Sequence, residues 1–279
     1  MKIGSHVSAA GGLHNAPKNA TKLELECFQF FSRPPQGGLA PKIGTEEVSA
    51  FRQDCIDGGF SESYVHTPYI LNICSDRPEV RSRTIDIIRT DLERATLLGC
   101  SAIMTHLGSA NGVDGGDGLV RAINGVKLIL NGYNGTTRLL LENSAGAGKI
   151  IGSQFEELAT ILAEVTDERV GVCFDTAHAF ASGYDLRNES AVRETVELFD
   201  RTIGLDRLEL VHANDSKVEL GTHRDRHEHI GLGYIGTEGI EAIVSEPHFQ
   251  KVNFILETPT EGQMEDIELL KKMRNRLTT

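Results

Sequence analysis

The sequence predicts a parallel (β/α)8 barrel, a TIM barrel, occupying residues 1–279 as one domain. Three observations carry this reading. Eight short β-rich runs are spread along the chain, segments with apolar residues at helical spacing lie between them and after the last, and 279 residues suit an architecture that typically needs about 250. Strands alternating with helices require a parallel sheet with both faces covered, and eight such units close most simply on themselves. An open doubly wound sheet is the runner-up. It would carry a glycine-rich dinucleotide turn after its first strand, where this chain has Gly4-Ser5-His6-Val7-Ser8 and then Ala10-Gly11-Gly12.

In chain order the strand runs cover residues 3–6, 27–31, 63–66, 102–106, 139–142, 171–175, 208–212 and 253–257. Helical patterns cover 79–98, 118–130, 153–165, 189–203 and 264–276. Ser153 and Glu156 form an S-x-x-E capping box at the head of the third of these. No linker, low-complexity tract or break in composition interrupts the series.

Composition narrows the function classes. No stretch reaches the roughly 20 consecutive apolar residues needed to cross a bilayer, and Met1-Lys2-Ile3-Gly4-Ser5 leads into a strand rather than a signal peptide. A cytoplasmic protein with no membrane partner is expected. Cys27, Cys55, Cys74, Cys100 and Cys173 form no C-x-x-C pair, so neither a disulfide framework nor a thiolate metal site is expected. A net charge of −12 argues against a broad basic surface gripping nucleic acid, unless carboxylates at one place bind divalent cations that invert the local potential.

Six strand runs end in a histidine or an acid: His66, His106, Glu142, Asp175, His212 and Glu257. They recur at intervals of roughly 40 residues, about one βα unit in a barrel of this length, and strand C-termini converge on one mouth. Any one of them reads as a buried, hydrogen-bonded residue. Six together read as a metal site, because crowded carboxylates resist ionisation unless cations pair with them. Local motifs add three more. His178 lies three residues past Asp175, where a short turn reaches the same mouth, and Asp225-Arg226-His227 follows His212 with its two outer side chains on one side of an extended segment. Nine candidates exceed what one ion uses, so two or three ions are implied. Imidazole and carboxylate without thiolate suit zinc, manganese, iron or cobalt.

These residues resemble those of the endonuclease IV family of abasic-site endonucleases. The likeness runs through His6-Val7-Ser8-Ala9-Ala10-Gly11-Gly12, His66-Thr67-Pro68-Tyr69-Ile70-Leu71-Asn72-Ile73, Leu141-Glu142-Asn143-Ser144-Ala145-Gly146, Phe174-Asp175-Thr176-Ala177-His178, His212-Ala213-Asn214-Asp215-Ser216-Lys217 and Leu256-Glu257-Thr258. The resemblance implies three zinc ions, with manganese or iron as substitutes. One would be held by His66, His106 and Glu142, a second by Glu142, Asp175, His212 and Glu257, and a third by His178, Asp225 and His227, with Glu142 bridging. It implies a monomeric enzyme of base-excision repair acting on double-stranded DNA. The reaction would be hydrolysis of the phosphodiester 5′ to an abasic site, leaving a 3′-hydroxyl, with cleaning of damaged 3′ ends as a companion activity. Glu142, Glu257 and Asp175 would serve the reaction, and Tyr69 and Ile70 match the positions that wedge into the opened duplex.

The sequence departs from the family in the loop after the second strand. Arg33-Pro34-Pro35-Gln36-Gly37-Gly38 stands where the family carries a lysine-asparagine-x-arginine-x-tryptophan stretch. Gln36 takes the place of the inserted arginine, and Arg33 is the candidate for phosphate contact. Leu107 follows His106 where a proline is usual. Two other classes compete with the nuclease reading: a metal-dependent sugar isomerase or epimerase of a related barrel superfamily, and a damage-binding protein that does not cleave. The third ligand set and an intact ligand ring argue against them.

Overall fold

The computed structural model describes residues 1–36, 40–111 and 115–277. Its elements run β1 (Ile3–His6), α1 (Asn15–Lys22), β2 (Cys27–Phe31), α2 (Thr45–Asp57), β3 (Ser63–His66), α3 (Pro78–Leu98), β4 (Ala102–Thr105), α4 (Gly115–Leu130), β5 (Arg138–Glu142) and α5 (Phe155–Val165). They continue with β6 (Val170–Asp175), α6 (Thr176–Ser182), α7 (Glu189–Thr202), β7 (Leu208–His212), β8 (Asp215–Ser216), β9 (His227–Glu228), α8 (Gly236–Ser245), β10 (Asn253–Leu256) and α9 (Gln263–Arg276). Eight parallel strands close in the order β1-β10-β7-β6-β5-β4-β3-β2. The expected (β/α)8 barrel is the fold. The short antiparallel pair β8–β9 lies outside it, in the excursion between β7 and α8.

Strand periodicity sorts side chains into two cores. Cys27, Tyr64, Ala102, Met104, Leu140, Cys173, Leu210 and Ile255 fill the barrel interior as one cluster. Neighbours one step out of phase, such as Phe28, Phe30, Val65, Ile103, Leu141, Val172, Val211 and Phe254, join the larger layer between strands and helices. Because successive residues of a strand face opposite ways, the interior plug also sets what stands above it. Two residues after Tyr64, Met104, Leu140, Cys173, Leu210 and Ile255 come His66, His106, Glu142, Asp175, His212 and Glu257, so all six are carried to the same end of the barrel.

Several local expectations shift. His106 and Glu257 stand one residue beyond the ends of β4 and β10. The helix expected from residue 153 begins at Phe155, and its capping box is made by Gln154 and Glu157 rather than Ser153 and Glu156. Glu157 Oε2 accepts from the backbone N–H groups of Gly152 at 2.8 Å and Gln154 at 3.3 Å. All five cysteines are free, and burial raises their pKa values, to about 12 for Cys55, Cys74, Cys100 and Cys173. They serve as small apolar groups. Among the described residues no helix is long and apolar enough to cross a membrane.

Candidate metal centre

The mouth of the barrel collects all nine nominated side chains. His66, His106 and Glu142 bring donor atoms within 4.8 Å of one another, as do Glu142, Asp175, His212 and Glu257. Asp175, His178 and His227 form a third group of the same tightness, and Asp225 joins it through contacts of Oδ1 with His178 Nε2 at 3.3 Å and His227 Nε2 at 3.4 Å. Glu142 is fully buried and central. Its Oε2 lies 3.2 Å from His66 Nε2 and 3.6 Å from His106 Nε2, while its Oε1 lies 3.1 Å from His212 Nδ1 and 3.3 Å from His178 Nδ1.

His178 reaches the site from a helix, not from the expected turn. Asp175 ends β6 and caps α6, its Oδ1 accepting from the His178 N–H at 2.7 Å, so one carboxylate both faces the site and fixes the first turn that carries His178. Further along, Asp215 anchors the excursion after β7. Its carboxylate accepts from the N–H groups of Ser216, Gly231, Gly233, Ile235 and Gly236 at 2.7 to 3.4 Å, and the β8–β9 pair then returns His227 to the mouth.

The donor chemistry fits divalent cations. His66 and His178 each set Nδ1 against a main-chain carbonyl, Thr67 O at 2.6 Å and Asn143 O at 3.0 Å. A carbonyl only accepts, so Nδ1 carries a proton, and in the neutral ring that a metal ligand requires it is the Nε2 lone pair that points inward. The Nε2 atoms of His178 and His227 are buried without any hydrogen-bond partner, which is costly unless a cation takes the lone pair. Electrostatics agree. Burial opposes the charge of Glu142, yet His106, His212 and His178 outweigh it and hold the carboxyl well below its usual range. Burial likewise opposes charge on His178, but Asp175, Asp225 and Glu142 draw its pKa well above the ordinary value. Imidazoles and carboxylates thus hold one another in their charged forms, an attraction that a divalent cation would replace.

A family model described as a xylose isomerase-like TIM barrel, AP_endonuc_2, matches residues 17–274. Similar curated proteins include "Probable endonuclease 4" of Natronomonas pharaonis, 40% identical and covering 94% of this chain and 93% of that one. The chain belongs to the endonuclease IV family. A protein of the same name from Halothermothrix orenii is 38% identical over 98% and 99%. Among solved structures, endonuclease IV from Thermus thermophilus superposes with a TM-score of 0.88 at 34% identity, covering 100% of this chain and 99% of that one. A D-tagatose 3-epimerase-like protein shares the barrel at a TM-score of 0.77 and 21% identity, a likeness of fold alone. The sugar isomerase reading is therefore not favoured, and the chain is a nuclease by family.

Around this mouth the nominated DNA contacts fall differently. Tyr69 and Ile70 stand 60% and 63% exposed at the rim, with the Tyr69 ring edge-on to Phe31 and 5.5 Å from His66. Gln36 is exposed, whereas Gly37 and Gly38 of the same loop lie outside the described residues. Arg33 corrects the expectation made for it. It is 6% exposed, and its Nε donates to both oxygens of Asp91, at 2.7 and 2.9 Å, so in this structure it is turned inward against α3 and not towards the surface. A cleft of about 640 Å³ opens between this loop and residues 7–13, floored by His6 and Phe31. Sequence reasoning passed over three buried amides. Asn143 Oδ1 accepts from Asp175 N at 2.7 Å, Asn214 Nδ2 donates to Asp175 Oδ2 at 2.7 Å, and Gln29 lies among His6, His212 and Glu257. Their signal was a lone polar residue beside a strand-end ligand or within an apolar strand.

Proposed function

We propose that this chain hydrolyses the DNA phosphodiester 5′ to an abasic site, leaving a 3′-hydroxyl, as a cytoplasmic monomer of base-excision repair loaded with three divalent ions, zinc in the first instance. The observation that carries the proposal is the convergence of nine imidazoles and carboxylates on one barrel mouth around buried Glu142, beside an exposed aromatic and aliphatic pair. When bound, the ions would lower the pKa of a coordinated water towards about 7 and offset charge on the phosphate. His66, His106 and Glu142 would hold one ion, Glu142, Asp175, His212 and Glu257 the second, and His178, Asp225 and His227 the third. Glu257 is held in position for the reacting water: Asn214 Oδ1 accepts from its backbone N–H at 2.8 Å, and its Oε2 is 3.3 Å from His212 Nδ1. Tyr69 and Ile70 offer apolar surface to fill the gap where a base is missing, and displacing an abasic nucleotide costs least because no base is unstacked.

The test is to incubate metal-analysed protein with a duplex carrying one abasic-site analogue, with and without a chelator, and to map the ends. A chelator-sensitive cut immediately 5′ of the lesion with a 3′-hydroxyl is the expected outcome. Tight binding without a cut by fully loaded protein would replace the nuclease assignment with lesion binding alone.

A further inference from the structure

Gln29 is a charge-free side chain that touches two of the candidate ligands from beneath, and its place in the hydrogen-bond pattern is over-determined. It sits at the centre of β2 in Cys27-Phe28-Gln29-Phe30-Phe31, fully buried, where an unpaired amide would be strongly disfavoured. Its Nε2 donates to Glu257 Oε1 at 2.6 Å and lies 3.0 Å from His6 Nδ1, and its Oε1 lies 2.8 Å from His212 Nε2. Only one orientation of the amide satisfies this set. An ionised carboxylate accepts and cannot donate, so the NH2 group must face Glu257. The amide oxygen then faces His212 and can only accept, which places the proton of that imidazole on Nε2. In the neutral ring that a metal ligand requires, the remaining nitrogen, Nδ1, then keeps its lone pair, 3.1 Å from Glu142 Oε1, 3.3 Å from Glu257 Oε2 and 3.8 Å from Asp175 Oδ2, at the centre of the second ligand group.

We infer that Gln29 is a positioning residue of the metal centre, fixing the tautomer and ring plane of His212 while holding Glu257 Oε1 out of the way of its working oxygen. The inference rests on the metal-centre part of the function proposed above. Its contrast with the other histidines sharpens it. His66, His178 and His227 each turn Nδ1 towards a main-chain carbonyl, of Thr67, Asn143 and Glu257, which no substitution removes. His212 takes the opposite nitrogen for its inward face and depends on a side chain for the other. Both N–H bonds and the carbonyl of the amide are engaged, so His6 must accept through Nδ1.

The experiment compares wild type with Gln29→Met, which keeps length and removes the polar amide, and Gln29→Glu, which retains an acceptor for His212. Zinc affinity is read by competition with a chromophoric chelator, and incision by kcat and KM on the abasic duplex. For Gln29→Met one ion per chain should be released roughly 10–100-fold more readily, as is usual when a ligand histidine loses its outer partner, with the other ions unchanged. Its kcat should fall while KM for DNA holds, since Gln29 is out of reach of a substrate. Gln29→Glu should recover part of the affinity. Wild-type affinity for every ion in Gln29→Met overturns the inference. Should that variant fail to fold, long-range nitrogen–proton NMR of zinc-loaded, nitrogen-labelled wild type decides: Nε2–H on His212 is expected, and Nδ1–H refutes it. Wild type that binds zinc but leaves abasic DNA uncut sinks the nuclease reading alone and leaves the affinity comparison standing, whereas wild type that binds no divalent ion sinks both.

Discussion

At the scale of single residues, Arg33 shows how a charged side chain is redirected by one partner. The loop context and the missing family arginine made phosphate contact the natural expectation, but Asp91 on α3 is fully buried beneath the loop, and Ser32 Oγ also donates to it at 2.9 Å. Burial raises the Asp91 pKa and Arg33 opposes that rise, so each charge is tolerable only in the other's presence. Arg94, 3.9 Å from the same carboxylate, donates to the Ser32 carbonyl and ties the loop to α3 a second time. Breaking a buried pair typically costs about 3–5 kcal/mol because it strands a charge. Arg33→Met should therefore lower the urea midpoint substantially. It should leave the slope of log binding constant against log salt for an abasic duplex unchanged, because no phosphate contact is lost. A shallower slope by about one unit would return Arg33 to the DNA interface.

At the scale of elements, the start of α5 overrides a local preference. Serine is the favoured cap by residue type, yet the helix begins at Phe155, which is buried, and the box is made by Gln154 and Glu157. Glu157→Ala should cost about 1 kcal/mol, read from thermal or urea unfolding, while Glu156→Ala should lie within about 0.5 kcal/mol of wild type. Equal effects would show the cap to be shared. The same logic explains what could be read from the sequence. Strand ends are legible because an apolar run stopping at a histidine or acid marks both the end of a strand and the side chain at its mouth, and the convergence of strand C-termini then gathers the six candidates. His178 comes to the mouth from the first turn of α6 rather than from the expected turn, since nothing local in the sequence distinguishes the two. Gln29, Asn143 and Asn214 are not legible locally because their partners lie 23 to 228 residues away, and the same holds for the inward turn of Arg33, whose partner lies 58 residues on.

At the scale of the whole molecule, the question is how a chain of net charge −12 holds a polyanion. The barrel answers by concentrating its acid where cations can neutralise it. Glu142, Asp175, Asp225 and Glu257 carry about four negative charges at the mouth, and the three divalent ions proposed would bring about six positive ones, so loading would reverse the sign of the surface proposed to meet the phosphate. Exposed Arg224 and Arg226 flank Asp225 in the same excursion and add cationic side chains next to the third ligand set. DNA affinity should then depend on metal far more than on bulk electrostatics. With a duplex whose scissile link is a non-hydrolysable phosphate analogue, stripping the metal with a chelator should weaken binding by at least about tenfold, or roughly 1.4 kcal/mol. Raising salt over loaded protein should weaken it less steeply than for a basic DNA-binding surface making about six to ten phosphate contacts. Binding that survives chelation undiminished would mean that the duplex is held by some other face, and that the metal-lined mouth does not govern the encounter.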